Sequence, residues 1–127
     1  MKINQELLDC LFEQARNNPR LRQSYNLRTS TEDSSQRMLN ALLPGTEVAI
    51  HKHPMSNENV ILLVSKMDEI IYDAEGKEVE RIHLDPTIGN FGCVVPADTW
   101  HTVEVFEPRV IYEGKDGKYD EDGLVTL

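Results

Sequence analysis

The sequence predicts one all-β domain, a sandwich or closed barrel, led by a single N-terminal helix. Three observations predict it. About eight short segments have strand character. Turn signals built from Pro, Gly, Asn and Asp recur between them at roughly ten-residue spacing. Helical periodicity is confined to the first turns of the chain. At 127 residues the chain makes one domain that buries about two thirds of the surface its unfolded form exposes.

Asn4 is placed to cap a helix whose apolar positions Leu7, Leu8, Leu11, Phe12 and Ala15 follow three- and four-residue spacing, and Asn17-Asn18-Pro19 ends it. Residues 20–35 are polar and read as an irregular arm. Five of the seven arginines, Arg16, Arg20, Arg22, Arg28 and Arg37, gather in and around it. Such a cluster is either a solvated face or an anion-binding rim. Residues 1–35 are thus expected to form a helix and arm packed on a barrel built from residues 36–127.

Strand periodicity begins at Gln36. Residues 38–43 are a short apolar run stopped by Pro44-Gly45, and residues 47–53 alternate with Glu47, Ala49, His51 and His53 on one face. Val60-Ile-Leu-Leu-Val64 is apolar on both faces, which predicts a strand covered on both sides. Glu58 shares a face with Val60 and Leu62, so a carboxylate heads a buried row. Residues 67–84 read as a hairpin turning at Gly76, and their charges predict exposed strands with His83 on the surface. Residues 91–96 form a further strand. The turn at residues 96–99 delivers His101 to the start of another inward row with Val103 and Val105. Residues 109–113 give a last strand, and residues 114–123 read as a polar tail.

Composition excludes several functions. With 13 Lys+Arg against 22 Asp+Glu, net −9, the chain is unsuited to nucleic acid or anionic membranes, which select cationic surfaces. The N-terminus has no apolar run of signal-peptide or membrane-span type, so a cytoplasmic protein is expected. Cys10 and Cys93 lack metal-type spacing and are expected to be buried free thiols.

His51 and His53 sit two apart on a strand, so both rings face the same way, and Glu58 follows close by. Imidazole is among the commonest ligands of transition metals. His101 and Glu58 each head an apolar row, and two such polar groups invite a shared partner. On the residues alone, the cluster could also be a packed polar group with no ion.

Gly45-x5-His51-x-His53-x4-Glu58 resembles the first half of the first cupin motif, and Pro96-x-Asp98-x2-His101 is similar to the second. More closely, residues 36–46, His51-x-His53-Pro54, residues 96–103 and Glu113-Gly-Lys-x-Gly-x-Tyr-Asp120 look like WbuC-type small cupin metalloproteins. That resemblance covers nearly the whole chain. It implies a double-stranded β-helix, or jelly roll, around a mononuclear metal ligated by His51, His53, Glu58 and His101. Ser65, Asp98 and Asn90 stand where cupin motifs have glycine, and Val105 where asparagine is frequent. Asp and Asn tolerate left-handed backbone, so Asp98 and Asn90 are expected to keep their turns.

Three neutral imidazoles and one carboxylate leave a dication site near +1 with open positions, which favours anions or chelating oxygens. Fe, Mn, Ni, Co, Cu and Zn all suit such a set. No second inward carboxylate or histidine is expected as a general base, unless Tyr112, Glu113 or Tyr119 serves. The expected ligand is a small oxygen-rich metabolite, anions included, such as a sugar derivative, in keeping with the resembled family's link to surface-polysaccharide genes. Arg28 and Arg37 are candidates to hold an anion, and Tyr112 and Tyr119 to touch the substrate. A metal-dependent isomerase or oxygenase is one expectation, and a non-catalytic binding module with a ligand-anchoring metal is the other. The apolar outer face at residues 60–64 needs a cover, from the helix or a second subunit, and a homodimer is expected.

Overall fold

The computed structural model describes residues 1–117 and 124–127. One helix, α1 (Gln5–Arg16), precedes ten strands: β1 (Arg22–Asn26), β2 (Ser35–Leu42), β3 (His51–Lys52), β4 (Glu58–Val64), β5 (Met67–Tyr72), β6 (Glu78–Leu84), β7 (Gly92–Val95), β8 (Trp100–Val105), β9 (Arg109–Asp116) and β10 (Val125–Thr126). The strands form two five-stranded sheets, in the orders β1-β2-β9-β4-β7 and β10-β3-β8-β5-β6, and every pairing is antiparallel. The fold class is the expected one: a double-stranded β-helix with an N-terminal helix.

Asn4 caps α1, its side chain accepting from the Leu7 N–H at 3.1 Å, which satisfies one of the helix's orphan donors. The helix turns Leu8, Leu11 and Ala15 onto the outer face of the first sheet, where Leu39, Ala41 and Val110 complete an apolar layer. A second core lies between the sheets, from Leu42, Val60, Leu62, Met67, Leu84 and Ile111. Each fully buried leucine contributes about 1.5–3 kcal/mol. The inter-sheet core fills one end of the barrel. The other end is polar, because the inward rows of β2, β4 and β9 run on into Gln36, Glu58, Glu113 and Lys115.

Several expectations are corrected. Residues 20–35 are not wholly irregular: β1 pairs with β2 from Arg22↔Leu42 to Asn26↔Met38, its mixed residues suiting an edge strand with one solvated side. Residues 47–50 are not strand. Their backbone is held instead by the Thr102 hydroxyl, which donates to the Val48 carbonyl at 2.5 Å, and by the Leu127 N–H on the Ile50 carbonyl. The run at residues 60–64 is buried on one side only, with Val60 at 1% and Leu62 at 3% exposure against Ile61 at 44% and Leu63 at 37%. The helix packs over β1 and β2, leaving the outer face of β4 and β7 bare. The charged hairpin strand β5 is not exposed: Asp68 and Glu69 are both buried. Cys10 is exposed on the solvent side of α1, and Cys93 is half-buried, both as free thiols. The last long strand continues through Asp116 rather than ending at residue 113.

Two of the non-glycine residues at cupin glycine positions do take left-handed backbone. Ser65 has φ +75° and Asp98 φ +61°. Asp98 is further fixed by its backbone N–H on the His53 carbonyl at 2.9 Å and by Lys52 Nζ on its carboxylate at 2.7 Å. That turn sets the registry of the strand carrying His101. At the third position Gly89, with φ +86°, makes the left-handed turn beside Asn90.

Candidate metal centre

Four side chains meet in the polar end of the barrel. His51 on β3 and His101 on β8 are direct cross-strand partners, so their rings face the same way, with centroids 4.2 Å apart. The His53 ring lies 5.2 Å from His51 and 5.6 Å from His101. Glu58, at the entry of β4, brings Oε2 to 3.0 Å from His53 Nε2 and Oε1 to 4.0 Å from His101 Nε2. Ligand atoms of the three histidines all lie within 4.8 Å of one another.

The tautomers are set by the backbone. His51 Nδ1 lies 2.8 Å from the Ala49 carbonyl, and His101 Nδ1 lies 2.8 Å from the Thr99 carbonyl. A carbonyl only accepts, so each Nδ1 carries the proton and each Nε2 presents a lone pair to the cavity. Burial holds both imidazoles below their ordinary pKa, outweighing the opposite pull of the Glu58 charge, and so keeps them neutral as ligands must be. Burial pushes the Glu58 carboxyl up, but the hydrogen bond from His53 and the electrostatic attraction of the neighbouring imidazoles outweigh it and hold the group below the usual range. His101 Nε2 is buried with no hydrogen-bond partner among the described residues. A convergent set of imidazole lone pairs and a carboxylate, with one nitrogen otherwise orphaned, fits a divalent transition ion by donor chemistry.

Close to this cluster lie three buried ionisable groups, of which the sequence offered Glu113 as a candidate base but not Glu69 or Arg109. Glu69 on β5 is 1% exposed and neither carboxylate oxygen has a hydrogen-bond partner among the described residues. Burial, then the charges of Glu58 and Glu113, pushes its pKa well above the ordinary value. Glu113 on β9 accepts from Asn40 at 3.3 Å, and burial with Glu58 nearby raises it to about 7. Arg109, with no exposed surface, directs Nη1 at the Met67 sulfur at 2.6 Å, and burial lowers its pKa to about 10. Glu69 is thus an inward carboxylate beyond Glu58, contrary to the expectation that none is left over.

The cavity measures about 990 Å³, with the histidines, Glu58, Glu69 and Glu113 in its walls and Arg22, Gln23 and Ser24 of β1 also lining it. Arg20 and Arg22 stand in its lining together with Glu47. The other candidate contacts fall elsewhere. Arg37 points outward from β2, on the face of Leu39, and pairs with Asp33. Arg28 is not among the cavity-lining residues. Tyr112 packs on the helix side of the first sheet, because it alternates with the inward Ile111 and Glu113. Tyr119 lies outside the described residues. His83, as expected, is at the surface, with Nδ1 2.6 Å from Asp68 Oδ1.

A family model described as a domain of unknown function, DUF6016, matches residues 3–84. That span holds His51, His53, Glu58 and Glu69 and stops short of His101. No curated protein matches the chain. Among solved structures, the capsular polysaccharide assembling protein CapF of Staphylococcus aureus aligns at 17% identity and TM-score 0.62, over 75% of this chain and 27% of that one. An oxalate decarboxylase of Bacillus subtilis, solved in work on its Mn(II) centres, aligns at 21% identity and TM-score 0.62, over 84% and 27%. An uncharacterized Klebsiella pneumoniae protein with a double-stranded β-helix domain aligns at 13% identity and TM-score 0.62, over 84% of both chains. The chain thus spans about a quarter of the length of the first two. At these identities the likeness establishes the shared cupin fold. No helix among the described residues is long and apolar enough to cross a membrane.

Proposed function

Since the chain belongs to the DUF6016 family, a domain of unknown function, and has the cupin fold, we propose that it is a metal-dependent cupin of WbuC type that takes a small oxygen-rich metabolite at a mononuclear centre. His51, His53, Glu58 and His101 hold the ion. The observation that carries this reading is the pair of matched backbone contacts, Nδ1 of His51 on Ala49 and Nδ1 of His101 on Thr99. Each aims an unprotonated Nε2 at the same point, a preorganisation that an ordinary packed histidine does not need. When bound, a dication supplies Lewis-acid polarisation or an activated water. The chain's own groups supply the rest: Gln36, Asn40 and Glu113 offer donors and acceptors for ligand hydroxyls, and the apolar inter-sheet core closes the far end to water. The Mn(II) centres of the oxalate decarboxylase and the name of CapF as a capsular polysaccharide assembling protein support a metal and a sugar-derived ligand by analogy of fold.

Arg20 and Arg22, which line the cavity, rather than Arg28 and Arg37, are the cations proposed to meet an anionic group of the ligand. Incubating the metal-loaded protein with sugar nucleotides, keto acids and oxygen tests the enzyme reading. Product formation supports an isomerase or oxygenase, whereas binding heat without product supports a binding module. A homodimer is part of the proposal, because Ile61, Leu63 and Val94 leave an apolar face on β4 and β7 with nothing over it among the described residues. Light scattering at micromolar concentration is expected to give twice the chain mass, and a monomer mass contradicts the dimer. Two free thiols accord with a reducing, cytoplasmic setting.

A further inference from the structure

We propose that Glu69 is a fifth ligand of the same ion, making the centre three imidazoles and two carboxylates and selecting a hard dication such as Mn(II) or Fe(II). The proposal rests on the metal-centre reading above and adds a residue that neither cupin motif contains.

Register puts Glu69 in place. On the paired strands β5 and β8, Ile71 stands opposite His101 and Glu69 opposite Val103. Glu69 therefore shares the inward face with His101, one inward residue further along. Glu69 is 1% exposed, and neither of its carboxylate oxygens has a hydrogen-bond partner among the described residues. A buried carboxylate without a partner costs several kcal/mol, so such groups are found paired or ligating. Arg109, the nearby buried cation, attracts the Glu69 charge but makes no hydrogen bond to it among the described residues. Its Nη1 is turned to the Met67 sulfur at 2.6 Å, and it forms no ion pair with Glu69 among the described residues.

Distance points to the metal instead. Ligand atoms of Glu58, Glu69 and His101 lie within 4.8 Å of one another, as do those of His51, His53 and His101. Both groups contain His101, whose Nδ1 is committed to the Thr99 carbonyl and whose single remaining nitrogen can bind only one ion. The two triads therefore meet at His101, and Glu69 approaches the centre on the side of Glu58 and His101. Ligand bonds of about 2.1 Å span donors up to about 4.2 Å apart across an ion, so Glu69 has to move inward to join the three imidazoles around it.

A fifth ligand changes what the centre attracts. Two carboxylates neutralise a dication, so the loaded centre no longer draws an anion to the metal itself. An octahedral ion keeps one open position rather than two, which suits a neutral hydroxyl or water. Added oxygen ligands also shift the preference towards harder ions. The substrate class becomes a polyhydroxylated molecule that meets the metal through a neutral oxygen, with any anionic group held by Arg20 and Arg22.

The test uses the full chain, stripped with chelator and titrated with Mn(II), followed by calorimetry and electron paramagnetic resonance. Glu69→Gln is compared with wild type and with Glu80→Gln, a change on the exposed strand β6. The expected result is about a 10-fold or greater loss of Mn(II) affinity in Glu69→Gln with an altered Mn(II) spectrum, and no change in Glu80→Gln. Affinity within twofold of wild type overturns the proposal, and so does weakened binding with an unchanged spectrum, which would make Glu69 a positioning residue. Should Glu69→Gln fail to fold, a Mn(II)-loaded wild-type crystal decides: an anomalous peak at bonding distance from a Glu69 oxygen supports the proposal, and one beyond it overturns it. A wild-type protein that takes up no transition ion at all would instead overturn the metal-centre reading, and this inference with it.

Discussion

Replacing His101 with alanine is expected to lower divalent transition-metal affinity by at least about 100-fold, since even partners one shell beyond the ligands cost about 10–100-fold. His101 is 2% exposed, its Nδ1 is held by the Thr99 carbonyl, and its Nε2 has no hydrogen-bond partner among the described residues. Its ring is the one common to both groups of candidate ligands. A control separates ligation from general histidine binding: His83→Asn, at the surface beside Asp68, should leave affinity within about twofold. Competition titration against a chelator of known affinity measures both. Equal affinity in His101→Ala and wild type would remove His101 from the centre.

The second large effect concerns Glu113. Replacing it with glutamine is expected to stabilise the metal-free protein by about 3 kcal/mol at pH 8, on the order of a 2.5-unit pKa difference. Burial first, and the charge of Glu58 next, raises the folded-state carboxyl from 4.5 to about 7. The folded chain thus holds a proton that the unfolded chain releases earlier. Wild-type stability from this group is fully present below about pH 4.5 and is lost as pH rises towards and through about 7. Glutamine cannot ionise and still accepts from Asn40, so the stability gap should open across that window and level off above it. The lowered pKa values of His51 and His101 impose an opposite slope, but it is common to both proteins and cancels in the difference. Urea unfolding in the presence of chelator at several pH values gives the gap. A gap that stays constant with pH would mean that Glu113 is not held protonated by the fold.

What the sequence discloses about this site depends on where alternation is unambiguous. On β4 and β8 a polar residue heads an otherwise apolar row, so Glu58 and His101 are legible as inward groups from the pattern of their own strands. Glu69 is not. In Met67-Asp-Glu-Ile-Ile-Tyr each face carries one acid and apolar neighbours, so local period cannot choose between Asp68 and Glu69. Both turn out buried, Asp68 paired with Arg81 and His83 and Glu69 facing the cavity. Only the register against β8 distinguishes them, and register is a long-range property. Arginine placement fails for a related reason. The apolar run at residues 38–43 hides which face of β2 is inward, and the strand β1 that carries Arg22 into the cavity lining reads as irregular because its residues are mixed. The composition of β4 predicts cover on both faces, whereas the helix docks over the other half of the sheet.

The fold, the two cores and the Asp98 turn stand without an ion. The proposed ion would account together for the paired Nδ1 contacts of His51 and His101, the His101 Nε2 and the buried Glu69. Metal content is therefore the decisive measurement. Protein purified without nickel resin or chelator is predicted to carry, or to take up on titration, about one equivalent of a divalent transition ion. Less than about a tenth of an equivalent of any such ion, with no uptake on titration, would contradict it.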